Sequence, residues 1–72
     1  MSETFAEQMA RTDLQLVVEL SEHDSDCLSA EGVYVVGDAS LVRLMRCQGL
    51  SKQRAVEIYD AVNSFIERIM RT

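Results

Sequence analysis

Proline is absent from these 72 residues and glycine occurs only three times, at Gly32, Gly37 and Gly49. The first 31 residues hold neither helix breaker. With 47% apolar content, this scarcity excludes a disordered chain and favours a mainly helical one. No apolar run reaches the length of a membrane span, and the acidic start is unlike a signal peptide, so the expected setting is cytoplasmic. The two cysteines, Cys27 and Cys47, match no metal or redox spacing and are expected as free thiols. Only one histidine is present, and no serine lies in a nucleophile-elbow context. The chain is read as non-enzymatic, with no catalytic residue, metal or cofactor assigned.

Basic residues are also scarce, but only in the first half. Residues 1–38 carry nine acids against Arg11, a net charge of −8, whereas residues 39–72 carry six bases against three acids, a net charge of +3. The whole chain stands at −5. Such a split says more about partners than about fold. A single domain is expected, and one this small buries only about 60% of its unfolded surface. Pairing would supply the missing burial, so a homodimer or reliance on a protein partner is expected.

What is present is clearest in residues 39–72. Ala55, Ile58, Tyr59, Val62, Phe65, Ile66 and Ile69 recur at steps of three and four, one stripe of a helix running from Lys52 to about Met70. Gln53, Glu57, Asp60, Ser64, Glu67 and Arg71 fall on the opposite, wet face. Ser51 is the expected N-cap. Upstream, Asp38 is expected to cap a shorter helix that buries Leu41, Leu44 and Met45, with Val42 beside them. Gly49 should end that helix in a left-handed conformation, with Leu50 closing over it. Two helices on so short a link form a helical hairpin or helix-turn-helix.

The run Leu41-Val42-x-x-Met45-x-x-x-Gly49-Leu50-Ser51-Lys52-x-x-Ala55, continuing to Tyr59 and Ile66, resembles the helical hairpin that opens HU/IHF-type nucleoid proteins. The likeness covers residues 41–69, under half the chain. It implies dimer-forming helices. That family's β-sheet and DNA-gripping arm have no counterpart here, so its DNA-binding residues are not carried over.

The front half reads less cleanly. Ser2 and Glu3 are placed to open a helix; Phe5, Met9, Leu16 and Leu20 share one face of it, and a single helix over residues 3–21 is predicted. Leu14, Leu16, Val18 and Leu20 also alternate as a strand would. Residues 22–32 are predicted as an acidic loop. Val33 to Val36, β-branched and bounded by glycines, predict a short strand. If residues 14–20 were also a strand, the two would pair and the fold would be α+β.

Glu22, His23, Asp24, Asp26 and Cys27 include every common metal-ligating type, but a loop holds them to no defined geometry. The expected role of Glu22, Asp24, Asp26 and Glu31 is an acidic contact for a protein partner. Arg43, Arg46, Lys52 and Arg54 gather near the turn and form a candidate nucleic-acid contact, as in a helix-turn-helix, against which the net negative charge works. The sequence therefore predicts a small regulatory or inhibitory protein that binds a partner through acidic and apolar helix surfaces. A minimal helix-turn-helix DNA binder is the alternative, and an enzyme centred on His23 a distant third.

Overall fold

A computed structural model describes residues 4–71. It contains four α-helices, α1 (Phe5–Arg11), α2 (Glu22–Glu31), α3 (Leu41–Arg46) and α4 (Lys52–Arg71), with short 3-10 turns at Leu14–Leu16 and Val36–Asp38. There is no strand among the described residues.

The α4 helix forms as its spacing predicts. Ser51 Oγ accepts the Arg54 N–H at 3.1 Å, satisfying one of the donors that open a helix. Ala55, Ile58 and Val62 are buried, while Tyr59, Phe65 and Ile66 pack half-buried against the same core. Twenty residues make a rod about 30 Å long. The molecule measures 40 × 20 × 19 Å, so α4 must follow its long axis. Its last turns have little to lie on, and Met70 is 72% exposed.

Gly49 is left-handed, at φ 86°, but it does not end α3. That helix stops at Arg46 with Cys47 extended. Gly49 lies in the turn closed by the Leu50 N–H donating to the Cys47 carbonyl at 3.3 Å, with Leu50 half-buried. A different residue caps α3: Ser40 Oγ accepts the Arg43 N–H at 3.2 Å. Asp38 is occupied elsewhere, its carboxylate accepting the N–H groups of Tyr34 at 3.3 Å and Val35 at 3.4 Å. With six residues, α3 can turn only a narrow side inward. Leu44 is buried there and Leu41 half-buried. Val42 and Met45, expected inside, face solvent.

The helix predicted over residues 3–21 is broken. Its proposed cap, Ser2 with Glu3, lies outside the described residues; α1 is capped by Thr4, whose Oγ1 accepts the Glu7 N–H at 3.1 Å. The break comes at Thr12, where the side-chain hydroxyl donates to the Gln8 carbonyl at 2.7 Å. The backbone there becomes extended, a local competition typical of threonine. Asp13 then forms a single antiparallel bridge with Val35, made by Leu14 N–H to Tyr34 O at 3.0 Å and Val36 N–H to Thr12 O at 2.9 Å. Both segments curl at once into 3-10 turns. The predicted strand at 33–36, and its hairpin with 14–20, reduce to that one bridge, and the α+β alternative does not hold.

Residues 22–31, predicted as a loop, are a helix. Ser21 and Asp24 make a reciprocal capping box: the Asp24 N–H donates to Ser21 Oγ at 3.1 Å and the Ser21 N–H to Asp24 Oδ2 at 3.3 Å. Gly32, at φ 80°, closes the other end. Cys27 and Leu28 are its apolar contribution to the core. They join Leu14, Val33, Val36, Ala39, Leu44, Cys47, Ala55, Ile58 and Val62 in one buried cluster.

Candidate partner-binding surfaces

The acidic residues singled out in the sequence do not act as a set. Glu22 and Asp26 are exposed on α2 and Glu31 is half-buried at its end. Asp24 is turned inward and only 8% exposed. Besides closing the capping box, it takes the Arg54 Nε–H at 3.0 Å. Burial works against its ionisation, but Arg54 and Ser21 together outweigh that and hold the carboxyl below its usual range. Asp24 is therefore spent on the fold, and the acidic surface of α2 reduces to Glu22 and Asp26, with Glu31 at its edge.

The four candidate nucleic-acid contacts divide in the same way. Arg54 also donates to Glu57 Oε1 at 3.2 Å and to the Glu19 carbonyl. Burial alone would favour loss of its proton, and the carboxylates of Asp24 and Glu57 reverse that. Arg43 donates to the carbonyls of Glu31 at 3.0 Å and Gly32 at 3.4 Å and sits 3.6 Å from Asp38. It thereby ties the end of α2 to the start of α3. Arg46 and Lys52 stay on the solvent side of the hairpin. A four-cation patch is not assembled.

Because α2 is a helix, His23 and Cys27 share one face, four positions apart. His23 Nε2 is 2.8 Å from the Gly49 carbonyl oxygen, so this nitrogen carries the proton and donates. Cys27 Sγ lies 3.6 Å from the same nitrogen. The ring thus bridges α2 to the turn between α3 and α4. Cys47 Sγ donates to the Arg43 carbonyl at 3.4 Å; burial pushes this thiol up, and charges on Glu31 and Cys27 add to the shift. Both cysteines are free and buried. Among the described residues, no three of His, Cys, Asp and Glu come together as a metal ion would require. No described helix is long and apolar enough to cross a membrane.

Two of the open apolar surfaces among the described residues bear on partner binding. One is a groove between α1 and the second 3-10 turn, lined by Phe5, Ala6, Met9 and Ala10 on one side and by Val35, Gly37 and Asp38 on the other. Phe5 is 40% exposed beside it. The two walls come close at Gly37, where a Cβ would lie 3.7 Å from the Ala10 Cα and the Met9 carbonyl carbon. The other is formed by Leu16, Phe65, Arg68 and Ile69, where the first 3-10 turn meets the far end of α4. Leu16 there is 76% exposed. Sequence reasoning missed both, having assigned Phe5, Met9 and Leu16 to a single buried face. The signal for the groove was the pairing of Ala6 with Ala10 beside Phe5 with Met9, small and large residues on one helical strip.

Comparison with protein families, curated proteins and solved structures finds no match to this chain. The functional reading below rests on the surfaces just described.

Proposed function

We propose that this is a small non-enzymatic regulatory protein that acts by binding another protein, with the α1 groove as the anchor. The observation that carries the reading is this groove: an apolar floor left open in a molecule with little core to spare. Glu7 on α1, with Glu22 and Asp26 on α2, is exposed and favours a partner that offers a large apolar side chain among basic residues. Acids of this kind speed encounter, while the apolar contact sets how long the complex lasts.

Affinity capture with the wild type and with Ala10→Glu tests the reading, since Ala10 is exposed and the substitution fills the groove with charge. A protein held by the wild type and lost from the variant is the expected result. Identical captures would refute the reading. Gel shift on mixed duplex DNA at low salt is the counter-test. Strong binding that Arg46→Glu or Lys52→Glu weakens would favour the helix-turn-helix alternative, whose other two cations, Arg43 and Arg54, are tied to groups of α2.

A further inference from the structure

A loop would hold His23 and Cys27 to no geometry, but α2 is a helix and fixes both. Four positions apart on one face, His23 Nε2 and Cys27 Sγ stand 3.6 Å from each other. Zinc bonds of about 2.0 Å to nitrogen and about 2.3 Å to sulfur close that separation at an angle of about 110–115°, near tetrahedral. The Gly49 carbonyl oxygen offers a further donor, 2.8 Å from the same nitrogen. Gly49 also keeps the space clear, since a Cβ there would stand 3.1 Å from Cys27 Sγ and 3.8 Å from His23 Nε2. His23 and Gly49 are exposed and Cys27 is buried, so an ion approaches the thiol across the ring and the turn.

We propose that His23 and Cys27 bind a zinc ion, with the Gly49 carbonyl beside them. An imidazole, a thiolate and a carbonyl oxygen make a donor set that suits zinc, whereas magnesium keeps to oxygen. Among the described residues no third His, Cys, Asp or Glu completes the set. Affinity is therefore modest, and at least one position stays open to water. On binding, Cys27 gives its thiol proton to solvent and its sulfur coordinates as thiolate. The imidazole proton moves through solvent from Nε2 to Nδ1, and the freed Nε2 lone pair takes the metal. The hydrogen bond to Gly49 is exchanged for coordination, so α2 stays tied to the turn between α3 and α4. The net change is one ion bound and one proton released. A ligand held only by the folded chain stabilises it, which makes the ion a clamp between α2 and the hairpin. The site shares no residue with the α1 groove and rests on none of the partner reading.

Titration of the full, reduced chain with Co2+, a spectroscopic stand-in for zinc, reads the site. A thiolate-to-cobalt charge-transfer band in the near ultraviolet should grow to a plateau at one ion per chain, and Zn2+ should abolish it. His23→Ala and Cys27→Ser should each weaken binding by more than the roughly 10–100-fold that loss of an outer-shell partner costs. Cys47→Ser should leave the band intact, because that thiol donates to the Arg43 carbonyl instead. Circular dichroism checks that each variant folds. In weakly buffered solution near neutral pH, about one proton should appear per ion bound. Thermal unfolding of the wild type should move up with Zn2+ and stay put with Mg2+ at the same concentration.

The absence of a band at about 1 mM Co2+, where even weak sites fill, overturns the proposal. So does a band that survives His23→Ala or Cys27→Ser, or one lost from a folded Cys47→Ser chain. Equal stabilisation by Mg2+ would overturn it as well, by marking the effect as general charge screening.

Discussion

Replacing Arg54 with alanine is predicted to cost about 2–3 kcal/mol of folding stability. The figure follows from what the guanidinium holds. It makes a charge-assisted bond to Asp24 at 3.0 Å, another to Glu57 at 3.2 Å, and a third to the Glu19 carbonyl. The side chain of Asp24 is 12% exposed and that of Glu57 52%, so the Asp24 bond dominates. The Glu57 pair is a surface interaction worth well under about 1 kcal/mol. A bond to a charged group contributes about 1.5–3 kcal/mol, and its loss leaves a buried carboxylate without its cation. Against this, a cation in the first turn opposes the α4 dipole, and removing it returns about 0.3–1 kcal/mol. Water entering the partly open site limits the loss further. For a domain of this size a total stability of about 4–11 kcal/mol is typical, so the change takes a large share of it. The melting temperature should fall by about 8–24 °C.

Urea and thermal unfolding followed by circular dichroism provide the measurement, with Glu57→Gln as a control expected to shift stability by less than about 0.5 kcal/mol. The pH dependence adds a signed test. Asp24 is held below its unfolded pKa of about 4. Its stabilisation is therefore present above pH 4 and lost as pH falls through the lower folded value. Arg54 is a principal cause of that lowering, so in the variant this acid-sensitive part of the stability should shrink. A double-mutant cycle with Asp24→Asn should give a coupling of about 1–3 kcal/mol. An Arg54→Ala midpoint within about 0.5 kcal/mol of wild type, or a coupling near zero, would refute the reasoning.

Three further predictions concern the turns, a cap and the thiols. Gly49→Ala should destabilise by at least about 1–2 kcal/mol in urea titrations, because Gly49 has φ 86° and a Cβ there would lie 3.1 Å from Cys27 Sγ. Gly37→Ala, with negative φ and its nearest contacts at 3.7 Å, should fall within about 0.5 kcal/mol of wild type in the same assay. Ser21→Ala removes the hydroxyl half of the α2 capping box and should cost about 1 kcal/mol, read as a lower melting temperature. Cys27 and Cys47 are 7% and 3% exposed, so both should react with an aromatic disulfide reagent only as fast as the chain opens, and at once in denaturant.

How legible each element was depends on where its information resides. The α4 helix could be read because seven apolar residues repeat on one stripe behind an obvious cap. The α2 helix hides for the opposite reason: ten residues bury only Asp24, Cys27 and Leu28, too few to draw a stripe. Its ends were nonetheless visible, since Ser21 and Asp24 have capping-box spacing and Gly32 stands just past the last turn. The stretch from Leu14 to Leu20 carried no single period because its residues go to different places. Leu14 is 2% exposed and Leu16 76%. At Val33 to Val36 the β-branched run was real, but a strand needs a neighbour of matching length, and the 3-10 turn at Leu14 withdraws it. The candidate sites failed in the same manner. Charge content marked Asp24 and Arg54 as available for partners, whereas their separation of thirty residues concealed that they hold each other.

The reach of Arg54 into the front half also bears on what could be made from this chain by cutting it. A peptide starting near Ala39 would keep both rods of the hairpin yet uncover Leu44, Ala55 and Ile58, each now fully enclosed. Its guanidinium would lose the Asp24 carboxylate and the Glu19 carbonyl, and the Gly49 carbonyl would lose its imidazole donor. Such a fragment should be sticky and poorly ordered in isolation. Supplied with residues 1–38 as a separate peptide, it has a ready-made reason to recombine, because Arg54 and Arg43 both reach across the cut, and the pair would serve as a split reporter.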